Sequence, residues 1–353
     1  MNIDQLLALA VKKKASDLHI SAGVEATARI HGKLVKLSDQ PVTREDSLIA
    51  ARHILSDRDI KKLEANGEVD TSYAIKNVSR FRVNTYRQRG SVSIAFRVVS
   101  DFIPSMEELN LPMVLKDLSK KQRGLILVTG PTGSGKSTTL ASMIDYMNMN
   151  LNHHVITIED PIEYLHIHKN CIIDQREVGA DTINFANALR AALREDPDVI
   201  LVGEMRDLET INTALTAAET GHLVLSTLHT IGAAKTIDRI IDVFPPEQQQ
   251  QVKVQLAAVL EGVISQQILP RIDGQGRLPA FEIMLANPAI RNLVREGKTH
   301  QIQTIIQTSK TDNMQTMDGH LITLYQNRKI DLNTLMRYAV DTQFVNETIR
   351  PVI

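Results

Sequence analysis

Sulfur, aromatic rings and excess charge are all scarce in this chain. It has one cysteine, Cys171, no tryptophan, and only 4% aromatic residues among its 353 positions. A lone cysteine makes neither an internal disulfide nor a multi-cysteine zinc site, and it suits a reducing compartment, so the cytoplasm is the expected location. Lysine and arginine number 40 against 41 aspartates and glutamates, a formal net charge of −1. A chain so balanced is not built to neutralise a phosphate backbone along its length, and it offers few rings for stacking on single strands, so no nucleic acid partner is expected. Apolar runs of about 18 residues are missing. The opening MNIDQLLALAVKKKASD carries its lysines after the short apolar stretch, the reverse of a secretory signal. The expectation is a chain with no transmembrane segment that is not exported by that route.

What is present is ordinary globular material: 43% apolar and 23% charged residues, in a length that suits about two domains of roughly 150 residues each. The first hundred residues read as a small α+β unit. Leu6, Leu7, Leu9 and Ala10 cluster on one side of a short helix, and alternation over 69–75, 80–85 and 92–98 predicts a sheet with one buried face. Between Asp70 and Asp101 no acid occurs, while Lys76, Arg80, Arg82, Arg87, Arg89 and Arg97 do, so that sheet has a strongly basic face. Pro104 and Pro112 bracket a linker with a short helix, and the boundary is placed near residue 115.

Beyond it the pattern changes. Leu125 to Thr129, Val155 to Glu159, Val199 to Val202 and Leu223 to Thr227 are short, nearly all-apolar runs of the kind found in parallel strands covered on both faces. Helical spacing separates them, as in Leu140, Met143, Ile144 and Met147, or in Leu208, Ile211, Leu215 and Ala218 ahead of Gly221. This is an α/β arrangement. From about residue 247 the chain reads as helical and polar.

The strand Leu125 to Thr129 runs directly into Gly130-Pro131-Thr132-Gly133-Ser134-Gly135-Lys136-Ser137, with Thr138 next, and then into a helix. This fits G-x-x-x-x-G-K-[ST] in its required strand-loop-helix setting. Glycines let successive backbone N–H groups turn inward around phosphates, and the helix N-terminus adds partial positive charge. Lys136 is expected to reach the β and γ phosphates of ATP and Ser137 to ligate Mg²⁺. A connecting turn would need neither the lysine nor the following hydroxyl.

Such a loop needs carboxylates at neighbouring strand ends. After Val199 to Val202 stands Gly203-Glu204, with glycine where many such proteins carry an aspartate, so Glu204 is the candidate for the metal side. After Val155 to Glu159 comes Glu159-Asp160-Pro161-Ile162-Glu163, and Glu163 is the candidate general base. His229, just past the strand ending at Thr227, is placed to sense the γ-phosphate, with His222 a weaker candidate. The pairs His153-His154 and His166/His168 lack a third ligand at recognisable spacing and read as surface or structural.

Five ordered segments carry a wider resemblance: SDLH with SAG at 16–23, GPTGSGKSTTLA at 130–141, ITIEDPIEY at 156–164, DPDVILVGEMRDLETI at 196–211 and TGHLVLSTLHT at 220–230. With them the chain resembles the type II/IV secretion and pilus ATPases of the RecA-like P-loop class, and among these the type IV pilus retraction ATPases. The resemblance implies a PAS-like N-terminal domain with linker (1–115), then a RecA-like ATPase domain with a helical C-terminal region (116–353). It implies a homohexameric ring at the cytoplasmic face of the inner membrane, acting on a pilus platform protein there, with a paralogous retraction ATPase as a further partner. It also implies that Arg82 and Arg97 approach the nucleotide. AIRNLVRE at 289–296 is similar to the retraction subtype's C-terminal signature, with Ile290, Leu293 and Val294 on one helical face and Arg291 and Arg295 on the other, facing a partner. One cysteine cannot build the four-cysteine zinc insertion common in pilus extension and type II secretion relatives, which remain the alternative, with a RecA-type nucleic-acid motor as the different class.

Overall fold

In the computed structural model, which describes residues 1–76, 78–99, 102–309 and 313–349, the chain divides into two compact units. The first comprises Met1–Phe102 and Pro161–Leu165, the second Ile103–Asp160 and His166–Ile353. No helix of the described residues is long and apolar enough to cross a membrane. Asp101, which bounds the acid-free stretch, lies outside the described residues.

The first unit runs α1 (Ile3–Lys12), β1 (Ala15–Ile20), β2 (Glu25–Ile30), β3 (Lys33–Pro41), α2 (Arg44–Ile54), α3 (Asp57–Asn66), β4 (Glu68–Ile75), β5 (Ser79–Gln88) and β6 (Ser91–Val99). Its helices start where short polar side chains can satisfy free N–H groups. Asn2 accepts from Gln5 at the start of α1, and Thr43 and Asp46 form a capping box on α2. The antiparallel sheet has the order β3-β2-β1-β6-β5-β4. Leu18, Ile20, Phe81, Val83, Ile94 and Phe96 fill the buried face, Phe81 and Phe96 meeting edge to face at 6.3 Å. On the other face the register lines up Asp17, Arg97, Arg82 and Ser72 in one row across four strands.

In the second unit, residues of the linker segment pack inward: Met106, Leu111, Val114, Leu115 and Leu118 are buried in its core. The short helix there is α4 (Val114–Ser119). The strands are β7 (Gly124–Thr129), β8 (His154–Glu159), β9 (Ile172–Glu177), β10 (Val199–Val202), β11 (Leu223–Leu228), β12 (Leu260–Pro270) and β13 (Arg277–Leu285), in the order β13-β12-β7-β11-β10-β8-β9. All pairs are parallel except β12 with β13. Every residue of β7, β10 and β11 is buried, because helices cover both faces. On one face α5 (Lys136–Asn150) brings Leu140, Met143, Ile144 and Met147 against Ile126 and Val128. On the other, α6 (Phe185–Ala192), α7 (Leu208–Glu219), α8 (Ala233–Asp242) and α9 (Pro246–Val259) pack on Leu125 and Leu127. The chain closes with α10 (Pro288–Glu296), α11 (Ile302–Thr308), α12 (Met317–Gln326), α13 (Leu332–Tyr338) and α14 (Thr342–Ile349).

The fold is α/β with a RecA-like second unit, as expected. The helical reading from residue 247 needs correction, because β12 and β13 lie inside that region. Three consecutive polar residues, Ser265, Gln266 and Gln267, hide the apolar run of β12, yet all three are buried and β12 lies directly beside β7.

Candidate active site

Parallel pairing sets the carboxyl ends of β7, β8, β10 and β11 on one edge of the sheet, the usual place for ligands in such folds. Four loops leave from that edge. They carry Gly130–Thr138, Glu159-Asp160, Gly203-Glu204 and His229, so the second unit gathers Lys136, Glu204 and His229 at one end.

Glycine is obligatory in the first loop. Gly130 has φ +141, and a Cβ there would stand 2.2 Å from the Gln266 carbonyl oxygen and 2.7 Å from Ser134 Oγ. Gly135 caps α5 at φ +87, in the left-handed region. Lys136 is buried, its ammonium donating to the carbonyls of Gly130 at 2.9 Å and Pro131 at 3.2 Å. Ser134 Oγ is buried with no hydrogen-bond partner among the described residues. An orphaned hydroxyl inside a loop shaped by glycines, beside a buried lysine, fits a phosphate that would complete those bonds.

Glu204 joins two loops. One carboxylate oxygen lies 2.7 Å from Arg206 Nε and the other 3.6 Å from His229 Nε2. Thr227 Oγ1 donates to the Gly203 carbonyl at 2.6 Å, and the Gly203 N–H donates to Ile158 at 2.8 Å. A Cβ on Gly203 would come 3.2 Å from the Ile158 carbonyl oxygen, a tight contact that glycine avoids. Glu159 accepts from Thr157 at 2.7 Å and from Gln175 at 3.2 Å, so it is held within the sheet.

Arg82, Arg97 and Glu163 belong to the first unit. Arg82 and Arg97 are exposed and directly opposed in register, an unfavourable placement of like charges that suits an anion. Arg97 Nε reaches Asp17 at 3.0 Å. Burial raises the Asp17 pKa, but the Ser16 hydroxyl and Arg97 outweigh it and hold the carboxyl below its ordinary value. Glu163 is exposed.

Other candidates settle into structural contacts. His222 sits at the opposite edge, its Nδ1 2.9 Å from the Ala217 carbonyl, so it takes no part at the loop end. His153 lies 3.6 Å from Asp198 and His154 3.0 Å from Asp174, while His168 accepts the Ile173 N–H. Among the described residues no group of three His, Cys, Asp or Glu could hold a metal ion. Arg291 turns inward instead of facing a partner: its guanidinium donates to the carbonyls of Ala257 and Ala258 and to Glu261, all at 2.8 Å, closing the end of α9. Arg295 remains exposed.

Sequence reasoning missed Gln266, which borders the phosphate loop, and a cavity of about 660 Å³ beside it. Its lining includes Ser134, Thr138, Thr139, Arg271, Arg277 and His320. Burial pushes the His320 imidazole below its ordinary range, and its Nδ1 accepts the Phe281 N–H at 3.0 Å. Polar residues inside otherwise apolar runs, as in ISQQIL and FEIML, were the available signal.

Residues 1–302 match the family model described as type II/IV secretion system protein. The chain is 51% identical over 318 residues to the type IV pilus retractation ATPase PilT of Pseudomonas aeruginosa, covering 90% of this chain and 92% of that one. It is 48% identical to a twitching motility protein of Neisseria gonorrhoeae, covering 89% and 84% of the two chains. A crystal structure of the pilus retraction motor PilT with bound ADP superposes with a TM-score of 0.91 at 49% identity, over 98% of this chain and 99% of that one.

Proposed function

The chain belongs to the type II/IV secretion system protein family, and from that premise we propose that it is an ATPase that powers type IV pilus retraction and hence twitching motility. The observation that carries this is the 51% identity to a retraction ATPase across nine-tenths of both chains, phosphate loop included. A single cysteine leaves no room for the four-cysteine zinc insertion of extension motors, which also favours retraction.

In this reading the backbone N–H groups of 133–138 receive the phosphates, and Lys136 exchanges its two loop carbonyls for phosphate oxygens. The base and ribose take the cavity beside Thr138 and Thr139, where Arg271 and Arg277 face polar edges. Mg²⁺ would be held by the Ser137 hydroxyl and on the Glu204 side, and when bound it neutralises charge on the β and γ phosphates. Glu163 acts as general base on the attacking water. His229, paired with Glu204, senses the γ-phosphate. Arg82 and Arg97 supply positive charge to the transferring group, an effect worth roughly 10³ to 10⁵ in rate for such arginines.

The working assembly is a homohexamer bound peripherally at the cytoplasmic face of the inner membrane. ATP and ADP favour different domain arrangements, and that difference moves a membrane-embedded platform protein, with a paralogous ATPase sharing the work. Steady-state hydrolysis by the purified chain tests the chemistry. Arg82→Ala and Arg97→Ala should lower turnover without lowering the melting temperature, and wild-type turnover in both variants would remove the arginines from the site.

A further inference from the structure

A strand in a sheet covered on both faces has little use for polar side chains unless they hold something. β12 nevertheless carries Ser265 and Gln266 side by side, at 0% and 2% exposure. Successive side chains on a strand point to opposite faces, so these two serve different loops.

Gln266 holds the phosphate loop. Its Nε2 donates to the Ser134 carbonyl, and its Oε1 accepts from the Thr139 hydroxyl at 2.9 Å. A trans peptide points its C=O and N–H in opposite directions. Tying the Ser134 carbonyl to Gln266 therefore turns the Gly135 N–H away from β12, toward the side where a phosphate loop presents its donors. The Thr139 contact fixes the first turn of α5 to the same side chain.

Ser265 holds the loop after His229. Its Oγ accepts the Gly232 N–H at 2.9 Å. Glu282, opposite Ser265 in the β12–β13 register and 2% exposed, accepts the Ala233 N–H at 2.8 Å. Gly232 is the N-cap of α8 and has no side chain of its own for the task. The N-terminus of α8, whose N-cap Gly232 lies three residues past His229, is thus capped by β12 and β13.

We propose that Gln266 is a positioning residue for phosphate binding and that the Ser265-Gln266 pair couples the phosphate loop to the His229 loop. Loop closure around phosphate shifts β12 at Gln266, and the neighbouring Ser265 transmits that shift to the segment presenting His229. The proposal rests on the reading of 130–138 as the phosphate loop.

The test compares Gln266→Met, Ser265→Ala, the double variant and Lys136→Ala, each measured for ATP kinetics and for the melting rise that ATP induces over its own nucleotide-free midpoint. A general loss of stability cancels in that difference. Gln266→Met should raise KM for ATP roughly ten-fold, the effect of orphaning buried hydrogen-bonding groups, and shrink the ATP-induced rise. Ser265→Ala should lower kcat with KM little changed. In the double variant the loss in kcat/KM should fall short of the product of the single losses by roughly three-fold or more. Gln266→Glu, which keeps the acceptor for Thr139 and removes the donor to Ser134, should repeat the KM increase if the methionine variant does not fold. Wild-type KM in the glutamine variants would overturn the positioning role, and strictly multiplicative losses would overturn the coupling. A full ATP-induced rise in Lys136→Ala would instead show that the loop reading itself is wrong.

Discussion

Adding one methyl group at Gly130 should disable nucleotide binding, and the size of the effect follows from three distances. A Cβ there meets the Gln266 carbonyl oxygen at 2.2 Å, Ser134 Oγ at 2.7 Å and the Gln266 carbonyl carbon at 3.3 Å, with φ at +141. Ser134 can rotate, but the Gln266 backbone yields only slightly before ladder bonds break, too little to relieve so close a contact, because β12 is paired on one side with β7 and on the other with β13. The loop itself must move. Overpacking of this kind costs about 1–3 kcal/mol and an unfavourable φ about 1–3 more, roughly 2–6 kcal/mol together. Gly133 is the control: it too has positive φ, at +79, but a Cβ there meets nothing within 4 Å, so Gly133→Ala carries only the conformational cost of about 1–2 kcal/mol. Nucleotide-free melting should therefore fall further in Gly130→Ala than in Gly133→Ala, and calorimetry should find ATP affinity in Gly130→Ala weakened roughly hundred-fold or more. Affinity within about three-fold of wild type, or equal melting in the two variants, would refute the steric account of this loop.

Lys136→Ala should lose ATP binding, whereas Glu204→Gln should keep it and lose turnover by roughly 10² or more, a contrast that nucleotide titration and phosphate release resolve. Arg291→Ala leaves two carbonyls and the Glu261 carboxylate without their forked donor, and thermal melting should show a cost of about 2 kcal/mol, of which Arg291→Lys recovers only part. Burial lowers the His320 pKa from its ordinary 6.5, so the unfolded chain takes up that proton first and stability is lost as pH falls below about 6.5 toward the folded value. Melting between pH 7 and 4 should decline less steeply in His320→Gln, and parallel curves would contradict the buried neutral imidazole.

What could be read from sequence was local. The phosphate loop is a contiguous motif with its strand and helix attached, and Glu204 and His229 each follow an apolar run that marks a strand end. Their pairing through one carboxylate was not legible, since it depends on β10 and β11 being neighbours. Gln266 was hidden for the same reason: it bonds Ser134 across 132 positions of chain, and nothing near it in sequence resembles a phosphate site. A helical wheel placed Arg291 opposite the apolar face of α10 but cannot see the end of α9, whose carbonyls draw the guanidinium inward. Spacing alone also could not tell that Pro161–Leu165, with Glu163, groups with the first unit although the strand before it belongs to the second.

If this chain powers retraction, its ATP hydrolysis removes pili from the cell surface. The most direct test is a count of surface pili by electron microscopy in the source organism carrying Glu204→Gln in place of the native gene. Retraction predicts excess pili on cells that no longer twitch. Bald cells would show that the motor assembles pili, and unchanged piliation would contradict a role in the pilus cycle altogether.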